Sequence, residues 1–318
     1  MDGRRVRREA GLACGMVTAA GLITALCAAV PAAARPARAG AASLSICQSA
    51  RDPGLAARLS SGIRAALRGR SSADGVAVDD RVSGVTCKLH PHWHIDSASV
   101  VKVTILSALL RKLQEEHRSL TEEQRELATE MITVSDNDAA SDLWAETGQP
   151  ALQHFLDLAG MHETHLGQDG YWGLTQITAH DELTLLQLLT SRNPVLTRAS
   201  RDYVLNLMAQ VTPSQRWGVP AGAPADLTVH VKNGWLPQPE HGWRINSIGS
   251  FSGHGRDYMI VVLTWDNPTM TYGVDTVQAV AEVINRELNP GTAAVIPAAR
   301  PDPSWETPDE QIRPPGPS

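Results

Sequence analysis

One stretch of this chain has to lie at the centre of a fold. Across residues 100–114, Val103, Leu106, Leu110 and Leu113 recur along one side of a helix, and Val101, Ile105 and Leu109 along a second. A helix that is apolar almost all round must be wrapped by other elements. Candidates for the wrapping are legible on both sides of it. Residues 52–67 predict an amphipathic helix, with Leu55, Leu59, Ile63 and Leu67 spaced by four and Asp52-Pro53 as cap and first turn. Thr121-Glu-Glu-Gln124 is a capping box that opens a helix running to about Ile132. Further helices are predicted over 138–146, 151–158, 181–190, 200–209 and 274–288. Strand-like patterns mark 75–94, 227–232, 244–251 and 258–265.

Strands therefore sit toward both ends, with a block of helices between them. This order predicts an α/β fold: an antiparallel sheet built from both chain ends and flanked by helices, with an inserted all-α subdomain. A cleft between two such subdomains is a natural place for a site.

The two ends read differently. Arg4, Arg5, Arg7 and Arg8 precede an uncharged run over 11–30, and the small-x-small sequences Ala32-Ala33-Ala34 and Ala37-Arg38-Ala39 follow it. This is the layout of a secretory signal peptide over 1–39. The run is also long enough to be a retained anchor. Its Ala and Gly content and the small-residue sites favour cleavage, and with it an exported, extracellular protein. Cleavage after Ala39 removes six Arg, one Asp and one Glu and takes the formal charge from −6 to −10. An acidic chain lacks the basic footprint of a general nucleic-acid binder. No other long uncharged run exists, which excludes a polytopic membrane protein and leaves no stable span after cleavage. With 42% hydrophobic residues the chain can build a real core. Of four cysteines only Cys47 and Cys87 remain, and outside the cell a disulfide between them is the simplest reading. Residues 289–318 hold eight of the twenty prolines. They are expected to be a disordered tail beyond a globular part at 40–288.

Three short motifs could carry chemistry. Ser99-Val-Val-Lys102 puts a serine and a lysine on one helix face, one turn apart. Ser99 stands where the apolar helix begins, among unpaired N–H groups. A lysine desolvated by that helix can act as the base a serine nucleophile needs. A serine cap and a snorkelling lysine would look the same. Ser135-Asp136-Asn137 lies between two predicted helices, where a polar turn is the plainer reading. Lys232-Asn233-Gly234 lies on an alternating strand, where glycine would let a ligand approach the backbone.

Taken in order, these motifs resemble S-x-x-K, S-D-N and K-[ST]-G of class A β-lactamases and penicillin-binding proteins. The segments 96–103 and 131–140 resemble class A sequences more widely, and the likeness extends over roughly 45–288. The resemblance implies a β-lactamase/transpeptidase-like fold and a serine hydrolase acting through an acyl-enzyme. It implies that Ser99 is the nucleophile, Lys102 takes its proton and Ser135 relays a proton to the leaving nitrogen. Asn137 would bind the substrate amide, and Lys232 the substrate carboxylate. The N–H groups of Ser99 and Trp235 would form an oxyanion hole, with Asn233, Gly234 and Arg244 also at the substrate. The implied substrate is a small-molecule β-lactam or a peptidoglycan-like peptide. The protein is expected to be a monomer without a cofactor. The alternative is a penicillin-binding or sensor module, or a D-Ala transpeptidase or carboxypeptidase, with little β-lactam turnover.

The chain departs from that family in two places. The stretch 165–177 (HLGQDGYWGLTQI) stands where class A enzymes carry a loop glutamate, and Asp169 is its only carboxylate. Asn233 replaces the hydroxyl residue of the third motif. Acylation stays intact on this reading, while deacylation loses its base. A rival constellation, His90-x-His92-x-His94, would share one strand face and could begin a metal site. Pro91 and the lack of a clustered carboxylate argue for ordinary hydrogen-bonded histidines, and no metal is expected.

Overall fold

The structure, a computed structural model, describes residues 45–306. The expected signal peptide, Cys14 and Cys27, and the end of the Pro-rich segment lie outside them. In chain order the described elements are strand β1 (Cys47–Gln48), helix α1 (Pro53–Leu67) and strands β2 (Ala73–Asp80), β3 (Val85–Leu89) and β4 (Ile95–Asp96). The helical block follows: α2 (Val101–Glu115), α3 (Glu122–Thr133), α4 (Asn137–Thr147) and α5 (Gln149–Ala159). Strand β5 (Gln176–Ile177) and helices α6 (Ala179–Thr190) and α7 (Arg198–Ala209) lead into β6 (Thr228–Gln238), β7 (Gly242–Gly253), β8 (Arg256–Asn267) and α8 (Met270–Leu288).

Local chemistry sets the boundaries. Asp52 caps α1 by accepting from the Leu55 N–H at 2.8 Å, with Pro53 at the first turn. The capping box at Thr121 and Gln124 forms in both directions. Thr178, Thr197 and Thr269 cap α6, α7 and α8 through their hydroxyls.

The main sheet is antiparallel, ordered β1-β3-β2-β8-β7-β6. Both chain ends supply it, as the pattern of elements predicts. Its two faces are covered by different helices. Gly75 of β2 meets Ala179 of α6, while Ile245 of β7, aligned through Thr264 with Asp74, meets Gly273 of α8. Adjacent residues on β2 point to opposite faces, so α6 and α8 sandwich the sheet. Beside it α2 forms the axis of the helical block, packed by α3, α4, α5 and α7. Every residue from Val101 to Leu110 is buried. Truncating one of its leucines to alanine would cost about 2–5 kcal/mol.

Two expectations need correction. Residues 75–94 do hold short strands separated by a turn, but β3 ends at Leu89 and 90–94 are turn and loop, so the three histidines do not share a strand face. His90 stacks on Trp93, His92 bonds the Glu163 carboxylate at 2.8 Å, and His94 bonds the Glu163 carbonyl at 2.9 Å. The described residues after α8 do not leave the fold either. Ile296 donates to Ala223 O and its own carbonyl accepts from Gly222, both at 2.8 Å. The Ala299 N–H donates to Gln278 Oε1 at 2.8 Å, and Pro301 is buried. Proline cannot donate, but Ile296 and Ala299 between the prolines keep their N–H groups and use them. Among the described residues no helix is long and apolar enough to cross a membrane.

Cys47 and Cys87 are direct partners in the β1–β3 pairing and are joined, across a separation of 40 residues. Replacing both by serine should lower the unfolding free energy by about 2–4 kcal/mol, read by urea denaturation. An unchanged midpoint would show that the sheet edge does not need the bridge.

Candidate active site

Ser99 sits on a 3-10 turn, Ala98–Val100, that leads into α2. The turn is pinned from two sides. Asn246 of β7 donates to Asp96 O at 2.9 Å and to Ser97 O at 3.1 Å, and the Ser97 N–H donates to Thr175 O at 2.8 Å. Strand β6 crosses so closely that a Cβ on Gly234 would lie 2.7 Å from Ser97 O and 2.9 Å from the Ser99 nitrogen. The glycine of the third motif therefore makes room for the serine turn rather than for a ligand. Ala98 and Ser135 both adopt left-handed backbone, with φ of 47° and 62°. For non-glycine residues that conformation costs about 1–3 kcal/mol and gathers at functional sites.

The two lysines meet at Ser135. Lys102 Nζ donates to Ser135 O at 2.7 Å, to Ser135 Oγ at 3.3 Å and to Asn137 Oδ1 at 2.8 Å. Lys232 Nζ donates to Ser135 Oγ at 2.9 Å and to Asn233 O at 3.1 Å. Asp136 caps α4 through the Ala139 N–H at 2.8 Å, which sets Ser135 and Asn137 on either side of the helix start. Both amines are fully buried. Burial pushes the Lys102 amine well below the usual lysine range, Lys232 pushes it further, and Asp136 opposes them. Burial alone lowers Lys232 to about 7.

Ser99, Asn137, Trp172, Gly173, Trp235 and Leu236 line one small cavity with Ala98, about 10 Å³ in volume. Ser99 Oγ makes no hydrogen bond among the described residues, while its neighbours are engaged. Trp172 packs its ring 4.7 Å from Lys102 Nζ and donates to Ser141 Oγ at 3.1 Å. Asp169 is exposed and does not line the cavity, and no carboxylate does.

Two sequence-expected substrate residues are not brought in. Asn233 follows Lys232 on β6, so its side chain leaves on the other face. It donates to Gln215 O at 2.7 Å and to Trp217 O at 2.9 Å. Arg244 bonds Asp96 at 3.0 Å and His241 O at 3.0 Å. Register explains the second case, because Arg244 pairs with Leu236 while Asn246 pairs with Gly234. Asn246 and Trp172 shape the site. A polar residue two places along the strand signals the first, and the missing loop glutamate the second.

The model of the Beta-lactamase enzyme family matches residues 123–288, about half of the chain. The chain belongs to the beta-lactamase enzyme family. The fold agrees: a class A beta-lactamase from Bacteroides cellulosilyticus superposes with a TM-score of 0.65, at 18% identity over 73% of this chain and 98% of that one. A beta-lactamase from Sphaerobacter thermophilus gives 0.64, at 17% identity over 73% and 97%. A curated relative from Mycobacterium tuberculosis, named "Putative lipoprotein LppW", is 29% identical over 194 residues, 59% of this chain. The match spans 61% of that relative's length.

Within this family member the buried lysines predict a pH signature. An unfolded lysine titrates near ~10.4, and folded Lys232 near 7. Between those values the unfolded chain binds more protons, so stability rises with pH, by up to about 1.4 kcal/mol per unit per lysine. Urea unfolding between pH 7.5 and 9.5 should show this rise, and Lys232→Met should remove a large part of the slope. An equal slope in the variant would mean that Lys232 stays charged in the fold.

Proposed function

We propose that this chain is an exported serine acyl-transfer enzyme that is acylated at Ser99 by a β-lactam, or by a related amide or ester, and deacylates slowly. The observation that carries the reading is the pair of buried lysines converging on Ser135, linked through Asn137 to a cavity that Ser99 lines with an unengaged hydroxyl and no carboxylate lines. Lys102, whose amine burial pushes well below the usual lysine range, takes the Ser99 proton in its unprotonated form as Oγ attacks the substrate carbonyl. Charge on the carbonyl oxygen falls to the Ser99 and Trp235 N–H groups. Ser135 Oγ faces both lysine amines, so it can pass its proton to the leaving nitrogen and be re-protonated from behind. Lys232 supplies positive charge for a substrate carboxylate, and Asn137 Nδ2 stays available because Lys102 engages its Oδ1.

The acyl-enzyme is an ester that water must then attack. Class A enzymes use a loop glutamate on that water. Here Trp172 fills the space beside Lys102, and general-base help worth ~10²–10⁴ in rate is missing. This favours the second reading, a penicillin-binding or sensor role in which acylation itself is the signal. Export agrees with the expected signal peptide, and an envelope location with the lipoprotein name of the mycobacterial relative.

A fluorescent penicillin should label the protein, and Ser99→Ala should abolish the label. Labelling that survives the substitution would remove Ser99 from the mechanism. With benzylpenicillin, intact-mass spectrometry over time should show a stoichiometric acyl adduct that decays slowly. Hydrolysis at hundreds of turnovers per second without a burst would mean that another group supplies the base.

A further inference from the structure

Strand β6 ends the main sheet, so among the described strands β7 alone pairs with it. Its two faces meet different surroundings. Lys232, Gly234 and Leu236 share one face, and Asn233 and Trp235 the other. On the first face Gly234 lies against the serine turn: a Cβ there would stand 2.9 Å from the Ser99 nitrogen and 3.0 Å from that of Val100. Trp235 borders the cavity beside Ser99. Its ring leaves on the second face, so it meets the cavity with its main chain.

The second face is fastened to segments outside the sheet. Asn233 Nδ2 donates to Gln215 O at 2.7 Å and to Trp217 O at 2.9 Å. The Trp235 Nε1 is buried and makes no hydrogen bond among the described residues, so packing alone holds the ring. One neighbour is Trp217, fully buried and edge-on at 6.0 Å between centroids. The other is Trp305, stacked at 4.9 Å with 21° between the planes. Trp305 belongs to the segment after α8, which is bound to the body through Ile296 and Ala299 and the buried Pro301. Its own turn, Pro303–Glu306, bonds only to Asp302: the Trp305 N–H donates to Asp302 O at 3.0 Å, and Ser304 donates to Asp302 Oδ1. The ring is therefore what joins this turn to β6.

We propose that Trp305 is a positioning residue for acyl transfer: stacked on Trp235 behind β6, it holds the Trp235 main-chain N–H in place beside Ser99. Asn233 and Trp235 flank Gly234, and with both side chains fastened behind the strand the main chain between them cannot draw back from the serine turn. A lone sheet-end strand has no outer neighbour to supply that restraint. The clamp rests on the acyl-transfer reading only for what the N–H binds, which is the oxyanion that develops on the substrate carbonyl.

Two measurements separate the clamp from that reading. Amide hydrogen exchange of the free mature protein reports the strand without any chemistry. Trp305→Ala should speed exchange over 233–238 about two- to tenfold, the loss expected for one aromatic pair, while Trp305→Phe stays near the parent. Unchanged exchange there, or an equal acceleration across β2 and β8, overturns the clamp. The second readout is the acyl carbonyl stretch of a carbon-13-labelled benzylpenicillin adduct at Ser99, by isotope-edited infrared spectroscopy. In Trp305→Ala the band should move to higher wavenumber, because a displaced N–H polarises the carbonyl less, and Trp305→Phe should restore it. A band that stays in place overturns the positioning role. If exchange accelerates locally and benzylpenicillin acylates neither protein, the clamp stands and the acyl-transfer reading falls.

Discussion

Lys102 is a buried amine at the seam between the helical block and the sheet, and the site is arranged around the need to satisfy it. An uncompensated buried charge is among the most expensive features a fold can contain. Here the amine is met by Ser135 O, Ser135 Oγ and Asn137 Oδ1, all from the start of one helix. Meeting those partners holds Ser135 in a left-handed conformation and fixes the α4 start against α2. Lys232 then arrives from the sheet side to the same hydroxyl. One serine thus joins two subdomains and couples two titrating groups, so the cost of burying the lysines is also what tunes them. Stability and chemistry draw on the same atoms, which is common where a site needs strained or desolvated groups.

Close approach is the second constraint. Gly234 lets β6 lie against the turn that carries Ser99, and Asn246 from the next strand clamps that turn by two carbonyls. Between them the sheet positions the nucleophile's backbone without touching its hydroxyl. The aromatic residues work differently. Trp172 stands against Lys102 and Trp235 against the cavity, so the surroundings of Ser99 are desolvating rather than hydrolytic. A tryptophan beside the lysine excludes the water that a carboxylate would recruit, and the same burial pushes the amine well below the usual lysine range.

Much of this was legible in the chain. The all-round apolar pattern of 101–113 demanded a central helix, and it is one. The cap and capping-box residues marked helix starts to within one or two positions, because a cap is a local hydrogen bond between near neighbours. The three motifs and their order pointed to Lys102, Ser135, Asn137 and Lys232, which are hydrogen-bonded together, and to Ser99, which shares a cavity with Asn137. Asn233 and Arg244 were placed at the substrate by motif position alone. They fail for one reason: a strand alternates faces, and which residue faces the cleft depends on register with a partner strand. Proline content likewise points to a free tail from Asn289, yet the N–H groups of Ile296 and Ala299 between the prolines bind the body of the fold.

The sequence by itself determined what needs only local or one-dimensional information. This includes the helices and their caps, the antiparallel sheet shared by both chain ends, the pair of cysteines and the family to which the motifs point. The tertiary structure decided what depends on the meeting of distant segments. Burial between packed elements, not lysine as a residue type, lowers the two amines. The approach of β6 to the serine turn gives Gly234 its role. Trp172 and Trp305 acquire theirs only because chain distant in sequence folds back onto Lys102 and Trp235. Desolvation and stacking act over a few ångströms of space and are blind to sequence separation, so no pattern along the chain could have announced them.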